Sequence, residues 1–229
     1  MATLLMRCDA PMQSWGSRSR FEHRDTERMP TKSGVIGLLC AALGRPRWEP
    51  LDDLAELRFG VRIDRPGVLS VDFHTTQGVY ISAGGQKECQ PSVRHYLSDA
   101  LFLVGLEGDS GLLGTLHQAL QHPKWCLYFG RKSFPPAAPV HLGEGPVEDA
   151  LEAALRGHPW LGTNPKRAPA MLEIWLDCRA GEPGRRMQDL PLSFDYEQRA
   201  YGFRKLRSAG GVLSRGPELG LDSNPPEVS

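Results

Sequence analysis

Cutting RNA without a metal needs a base for the 2′-hydroxyl, an acid for the leaving oxygen and a cation for the phosphorane. Histidine, tyrosine and lysine can fill all three roles. By type alone, His23, His74, His95, Tyr80, Tyr96 and Lys132 are candidates. Holding RNA needs less: guanidinium groups for phosphates, an aromatic face for a base, and backbone N–H groups that an anion can approach. The chain is richer in this second kind. From Arg7 to Trp48 eight basic residues stand against four acidic ones, a net +4, and from Arg199 to Arg215 five basic residues stand against none. Arginine outnumbers lysine in both stretches, which favours bidentate phosphate contact or base stacking. Taken alone, each stretch reads equally as a solvated face. The whole chain balances, with 27 Lys+Arg and 27 Asp+Glu in 229 residues. A polyanion would therefore bind only where folding brings the basic stretches together.

Other chemistries are excluded by pattern. There is no phosphate-binding P-loop, no dinucleotide fingerprint, no G-x-S-x-G elbow and no H-E-x-x-H. The histidines lack metal-ligand spacing, and no cofactor is expected. The five cysteines, Cys8, Cys40, Cys89, Cys126 and Cys178, are an odd number with no C-x-x-C pair. That argues against a disulfide framework or a zinc knuckle and for a reducing compartment. No apolar run reaches the roughly 18 residues of a membrane span. The first residues carry no charged leader, so a cytoplasmic protein without membrane contact is expected.

The elements that must position these residues follow from periodicity. Thr3 to Cys8 alternates as a strand, with Leu4, Met6 and Cys8 on one side. A long polar loop, Asp9 to Lys32, leads to a helix from Ser33 to Leu43, with Ser33 as its cap and Gly44 past its end. A short helix (Leu51 to Leu57) and strands at Arg58 to Asp64 and Val68 to Phe73 come next. Thr75 to Asp99 is polar and weakly patterned. Ala100 to Leu106 is an apolar strand, Ser110 caps a helix that Pro123 stops, and Trp125 to Phe129 reads as a strand. Pro146 to Arg156 is an amphipathic helix, and Met171 to Asp177 and Tyr201 to Arg207 are late strands. With the polar insertion removed, the order is β-α-β-β-α-β, an α+β ferredoxin-like (RRM-like) core. Residues 1–76 and 99–215 form that core with its C-terminal extension, 77–98 the insertion, and 216–229 a disordered tail. The aromatic signature by which RRM sheets stack bases is missing, so RNA contact falls to loops and helix ends.

Met12-Gln-Ser-Trp-Gly16 and Pro30-Thr-Lys-Ser-Gly-Val-Ile-Gly-Leu-Leu-Cys-Ala-Ala-Leu-Gly44 carry a resemblance. With His74-Thr75, Tyr96-Leu-Ser-Asp-Ala100 and Tyr128-Phe-Gly-Arg-Lys-Ser133, the chain resembles the CasD subunits of Cascade, the CRISPR RNA-guided surveillance complex. Matching segments run from Thr3 to about Pro135. The resemblance implies a ferredoxin-like core whose insertion is an extended thumb. It implies a non-catalytic subunit in antiviral defence that holds the 5′ handle of CRISPR RNA and caps the backbone of the complex. It implies contact with the backbone subunit CasC and the large subunit CasA, and with target DNA only through the complex. In a sister subtype the corresponding protein is itself a metal-independent endoribonuclease that uses Tyr, Lys and His, so cleavage is the alternative. A protein-interaction subunit is a third reading.

A handle-holder assigns roles to particular residues. Lys32, Ser33 and Gly34 open a helix whose N-terminus suits a phosphate. Gln13 and Ser14 offer base-edge hydrogen bonds, and Trp15 offers a stacking face worth about 1–3 kcal/mol per base. Arg18, Arg20, Arg24 and Arg28 lie in the basic loop, and Arg131, Lys132 and Ser133 leave a strand end at a turn. Arg94, two residues before Tyr96 at the thumb's base, matches a family arginine that lies against a displaced handle nucleotide. Trp15 packed under the loop, and Ser33 as a helix cap only, are the plain readings of the same residues.

Overall fold

The structure is a computed structural model that describes residues 1–17, 23–81 and 84–214. Its elements are β1 (Ala2–Asp9), β2 (Met12–Gln13), β3 (His23–Arg24), α1 (Lys32–Leu43), α2 (Asp52–Ala55), β4 (Arg58–Arg65), β5 (Val68–Tyr80), β6 (Gln86–Ser98), β7 (Leu101–Gly108), α3 (Ser110–Gln121), α4 (Leu151–Gly157), β8 (Met171–Asp177), β9 (Arg185–Ser193) and β10 (Ala200–Leu213). Six strands form one antiparallel sheet in the order β1-β7-β4-β8-β10-β9. A second sheet has the order β2-β6-β3, with β5 pairing β6. Among the described residues no helix is long and apolar enough to cross a membrane.

The β1-β7-β4 part of the large sheet is buried on both faces, whereas β8, β10 and β9 expose alternate residues. Leu4, Met6 and Cys8 of β1 share one core with α1 and α3, as the alternation predicts, whereas Leu5 points into a second core under α4. Two glycines let α4 approach. Gly60 and Gly105 face each other across β4 and β7, and a Cβ on either would lie under 3.0 Å from leucine side chains of the α4 core. Arg62 is fully buried beneath the end of α4. It pairs with Asp64 at 2.7 Å and donates to the carbonyls of Leu155, His158 and Pro159, so a buried charge is both paired and hydrogen-bonded.

Several sequence expectations need correction. Thr31, not Ser33, caps α1: its Oγ1 accepts from the Gly34 N–H at 3.2 Å. Asp109, not Ser110, caps α3. Gly44 closes α1 in the left-handed region, φ 73°, as expected. No strand forms at Trp125 to Phe129. There the Lys124 and Trp125 N–H groups donate to Ala42 and Ala41, spending themselves on the end of α1. The chain then follows β1 through single bridges only, Met6 with His141 and Thr3 with Val147. Pro135, Pro136, Pro139 and Pro146 supply no N–H there, so a continuous ladder cannot form. The β-α-β-β-α-β count therefore lacks a regular sixth member. α4 starts at Leu151 rather than Pro146, because Val147 is pinned to β1 in both directions with Thr3.

The weakly patterned stretch is regular after all. β5 and β6 pair from Val68–Ser98 to Tyr80–Gln86 as one long hairpin, which begins well before residue 77. β9 was not anticipated: Arg185 to Ser193 is mostly charged and polar, and it carries a fully buried Asp189. The expected tail, 216–229, lies outside the described residues.

Candidate nucleic-acid interface

The floor of the site is Trp15. Its ring is buried against Phe129, with centroids 5.6 Å apart, and its Nε1–H donates to Gln13 Oε1. Gln13 is itself fully buried and donates to the carbonyls of Cys8 and Ala100, which locks the two-residue strand β2 under the sheet. Gly34 lets α1 start against this ring: a Cβ there would lie 2.9 Å from the indole. Gly130, at φ 86°, lies so close to the Ser14 carbonyl oxygen that a Cβ would fall 1.8 Å from it. The 129–131 turn and the 13–15 segment are thereby held as one wall, with the Ser14 N–H donating to Phe129. Beyond the floor the polar loop folds back on itself. The Trp15 N–H donates to Thr26 Oγ1, and the Glu27 N–H to the Trp15 carbonyl.

Above the floor lies an open groove of about 610 Å³. Four arginines border it: Arg24, Arg94, Arg131 and Arg199. Arg24 and Arg94 are register partners across β3 and β6, the one parallel pairing in the second sheet as described. Arg94 donates from Nε to Ser92 Oγ at 3.0 Å. Arg131 donates to the His95 carbonyl at 2.7 Å and stacks over Phe134, 5.3 Å from the ring centre. Burial lowers the Arg131 pKa and Arg94 lowers it further; Asp72 opposes this, and Arg24 adds a smaller lowering. Like charges crowded in this way are relieved by an anion. Among the described residues none of the four has a salt bridge, and the groove lining holds no Asp, Glu, His or Lys.

The expected site residues divide sharply. Ser14, Ser33, Gly34, Arg24, Arg94 and Arg131 line the groove. Gln13 is structural, and Trp15 borders the groove with a ring that is 1% exposed, so it is floor rather than stacking platform. Lys32 is a correction. It is buried, its Nζ lies 3.5 Å from Asp177, and burial lowers its pKa. The start of α1 is partly spent too, because the Lys32 N–H donates to Asp189 and the Gly34 N–H to Thr31. Arg28, Lys132 and Ser133 are exposed but outside the groove lining, and the Tyr96 ring packs on Phe134. Arg18 and Arg20 lie outside the described residues. The groove also gains Gln188, Arg199 and Tyr201 from β9, β10 and the turn between them, which local sequence could not assign to this place. Only the acid-free run from Arg199 to Arg215 hinted at it.

The cleavage candidates do not converge on the groove. His74 pairs with Asp72 on the exposed hairpin, Tyr80 lies at its far end, 83% exposed, and His95 enters through its carbonyl. Among the described residues no group of His, Cys, Asp and Glu could hold a metal ion.

A groove bordered by four arginines, with no acid in its lining, is electrostatically suited to a polyanion. The family model described as CRISPR-associated protein (Cas_Cas5) matches residues 3–207, and the chain belongs to that family. It is 35% identical over 172 residues to the CRISPR system Cascade subunit CasD of Escherichia coli (strain K12), covering 68% of this chain and 77% of that protein. A solved structure described as a Cas protein superimposes with TM-score 0.76 at 44% identity, covering 94% and 99% of the two chains. A chain of a CRISPR RNA-guided surveillance complex does so with TM-score 0.77 at 34% identity, covering 95% of each. The family read from the Met12–Gly16 and Pro30–Gly44 motifs is thus the family that the chain belongs to.

Proposed function

We propose that this chain is a subunit of a Cascade-type surveillance complex that holds the 5′ handle of CRISPR RNA in the arginine groove and does not cut it. The observation that carries this reading is the convergence of Arg24, Arg94, Arg131 and Arg199 on one groove whose lining contains no carboxylate. The similarity to a Cascade subunit and to a chain of an RNA-guided complex supports the setting. Guanidinium groups with no salt bridge among the described residues keep donors for phosphate oxygens. The lining places no His or Lys beside its one tyrosine, Tyr201, so it lacks the Tyr, Lys and His set of the cleavage alternative, which favours binding.

In this reading β1, α1, β4, β7 and α3 are the regular part of a ferredoxin-like core, and the β5–β6 hairpin is the thumb inserted into it. Arg94 stands where the hairpin meets the core and bears on the handle from that side. The backbone subunit and the large subunit are the protein partners, and target DNA is reached through them.

The test incubates the purified chain with labelled repeat-containing RNA in EDTA and reads retention and cleavage on one gel. A shifted, intact band is expected. A discrete cut upstream of the handle would overturn the reading.

A further inference from the structure

The second basic stretch lines the groove through Arg199 and runs on along β10. Residues two apart on a strand share a face. Arg186 lies two residues along β9 from Gln188, which borders the groove; on β10 the register shifts between Gly202 and Arg204, so Phe203 is placed by its contact with Arg186 and not by alternation from Tyr201. Arg186 holds its guanidinium 4.0 Å from the centre of the Phe203 ring, and Lys205 is its register partner across the strands. Phe203 is 53% exposed and Arg186 and Lys205 are exposed, while the alternate residues Met187, Asp189, Arg204 and Leu206 are buried. Among the described residues neither Arg186 nor Lys205 has a carboxylate partner, whereas the next cation, Arg207, is tied to Glu152 and Glu182. The free cations thus flank the ring and end where the acids begin.

We propose that the Arg186–Phe203–Lys205 face of β9 and β10 is a second contact for single-stranded RNA and carries the strand onward from the arginine groove. The ring offers a stacking surface that tolerates any base, and the two cations take the flanking phosphates. From Tyr201 to Lys205 the strand covers about 14 Å, so the face adds only a short length of RNA. The proposal rests on the groove being an RNA site.

The test measures affinity of the full chain for two labelled repeat-derived RNAs, one just long enough to fill the groove and one extended at either end in turn. Phe203→Ala should weaken the extended RNA about ten-fold and leave the short one unchanged. R186Q with K205Q should make the salt slope for the extended RNA shallower by about 1.4. Arg131→Ala, which removes a groove arginine, should weaken both lengths. If Arg131→Ala weakens both and Phe203→Ala changes neither, the groove reading stands and this face is overturned. Equal loss on both lengths for Phe203→Ala also overturns it, since the ring would then belong to the groove. If the unaltered chain retains neither RNA, both readings fall. Phe203 is exposed on β10, and an unchanged urea midpoint for Phe203→Ala separates lost binding from lost folding.

Discussion

At the scale of single residues, position in the chain was a poor guide to which cations are free. Lys32 sits beside the helix start in the motif that marks the family, yet its ammonium is buried on Asp177. Lys32→Met should therefore leave RNA affinity within about two-fold, whereas Arg94→Ala should reduce it about ten-fold, the usual loss for one charge-assisted contact. A filter-binding titration of both variants checks this. Gly130 is the opposite case, a residue without chemistry that the site cannot lose. Gly130→Ala should cost at least about 1–3 kcal/mol from backbone strain, with further loss from the Ser14 contact, read as a lower urea midpoint. His117 gives a pH signature. Its ring is buried edge-on to His141, 5.7 Å between centroids, and burial lowers its pKa from 6.5; His141 adds to this and Glu144 opposes it. The unfolded chain then takes up the proton first, so this contribution is complete above pH 6.5 and shrinks as pH falls below it. Unfolding free energy should decline on acidification from pH 7, and less steeply in His117→Gln.

At the scale of elements, a buried charge network joins the late strands to α1. Arg204 of β10 is held bidentately by Asp189 of β9 at 2.6 Å and also by Asp177 of β8, while Asp189 accepts the Lys32 N–H. Two cations and two carboxylates balance there. Removing one leaves an unpaired buried charge, which costs about 3–5 kcal/mol. Asp189→Ala should lose that much in equilibrium unfolding, and more than Lys32→Met, which leaves Asp177 on Arg204 and on the Phe59 N–H. This network explains what the sequence hid. β1, α1, β4, β7 and α3 show clear periodicity because each buries an apolar face, and they were legible. β9 buries an aspartate and exposes arginines, so its pattern runs against that rule. β5 is exposed along nearly all its length, and beyond its exposed first four residues β6 is half-buried on both faces except at Ser92 and Leu97, so no alternation marks the hairpin. The strand expected at Trp125 to Phe129 had the right composition, but the end of α1 claims its first donors. The groove was half legible for the same reason. Ser14, Gly34, Arg24, Arg94 and Arg131 lie in or beside recognisable motifs, whereas Gln188, Arg199 and Tyr201 arrive through a fold that local pattern does not report.

At the scale of the whole molecule, charge neutrality conceals a division of labour. Asp177 and Asp189 of the late strands are used inside, on Lys32 and Arg204, while Glu152 of α4 and Glu182 hold Arg207. Four arginines with no salt bridge among the described residues gather at the groove from segments more than 100 residues apart. Each phosphate neutralised on a single strand contributes about −0.7 to the slope of log affinity against log salt concentration. The most direct measurement of the account is that slope for handle RNA, taken for the unaltered chain and for single Ala variants of Arg24, Arg94, Arg131 and Arg199. Four groove arginines on phosphate give a slope of about −3, and each variant should make it shallower by about 0.7. A flat salt response, or a slope that no groove variant changes, would contradict the claim that this arginine groove holds RNA.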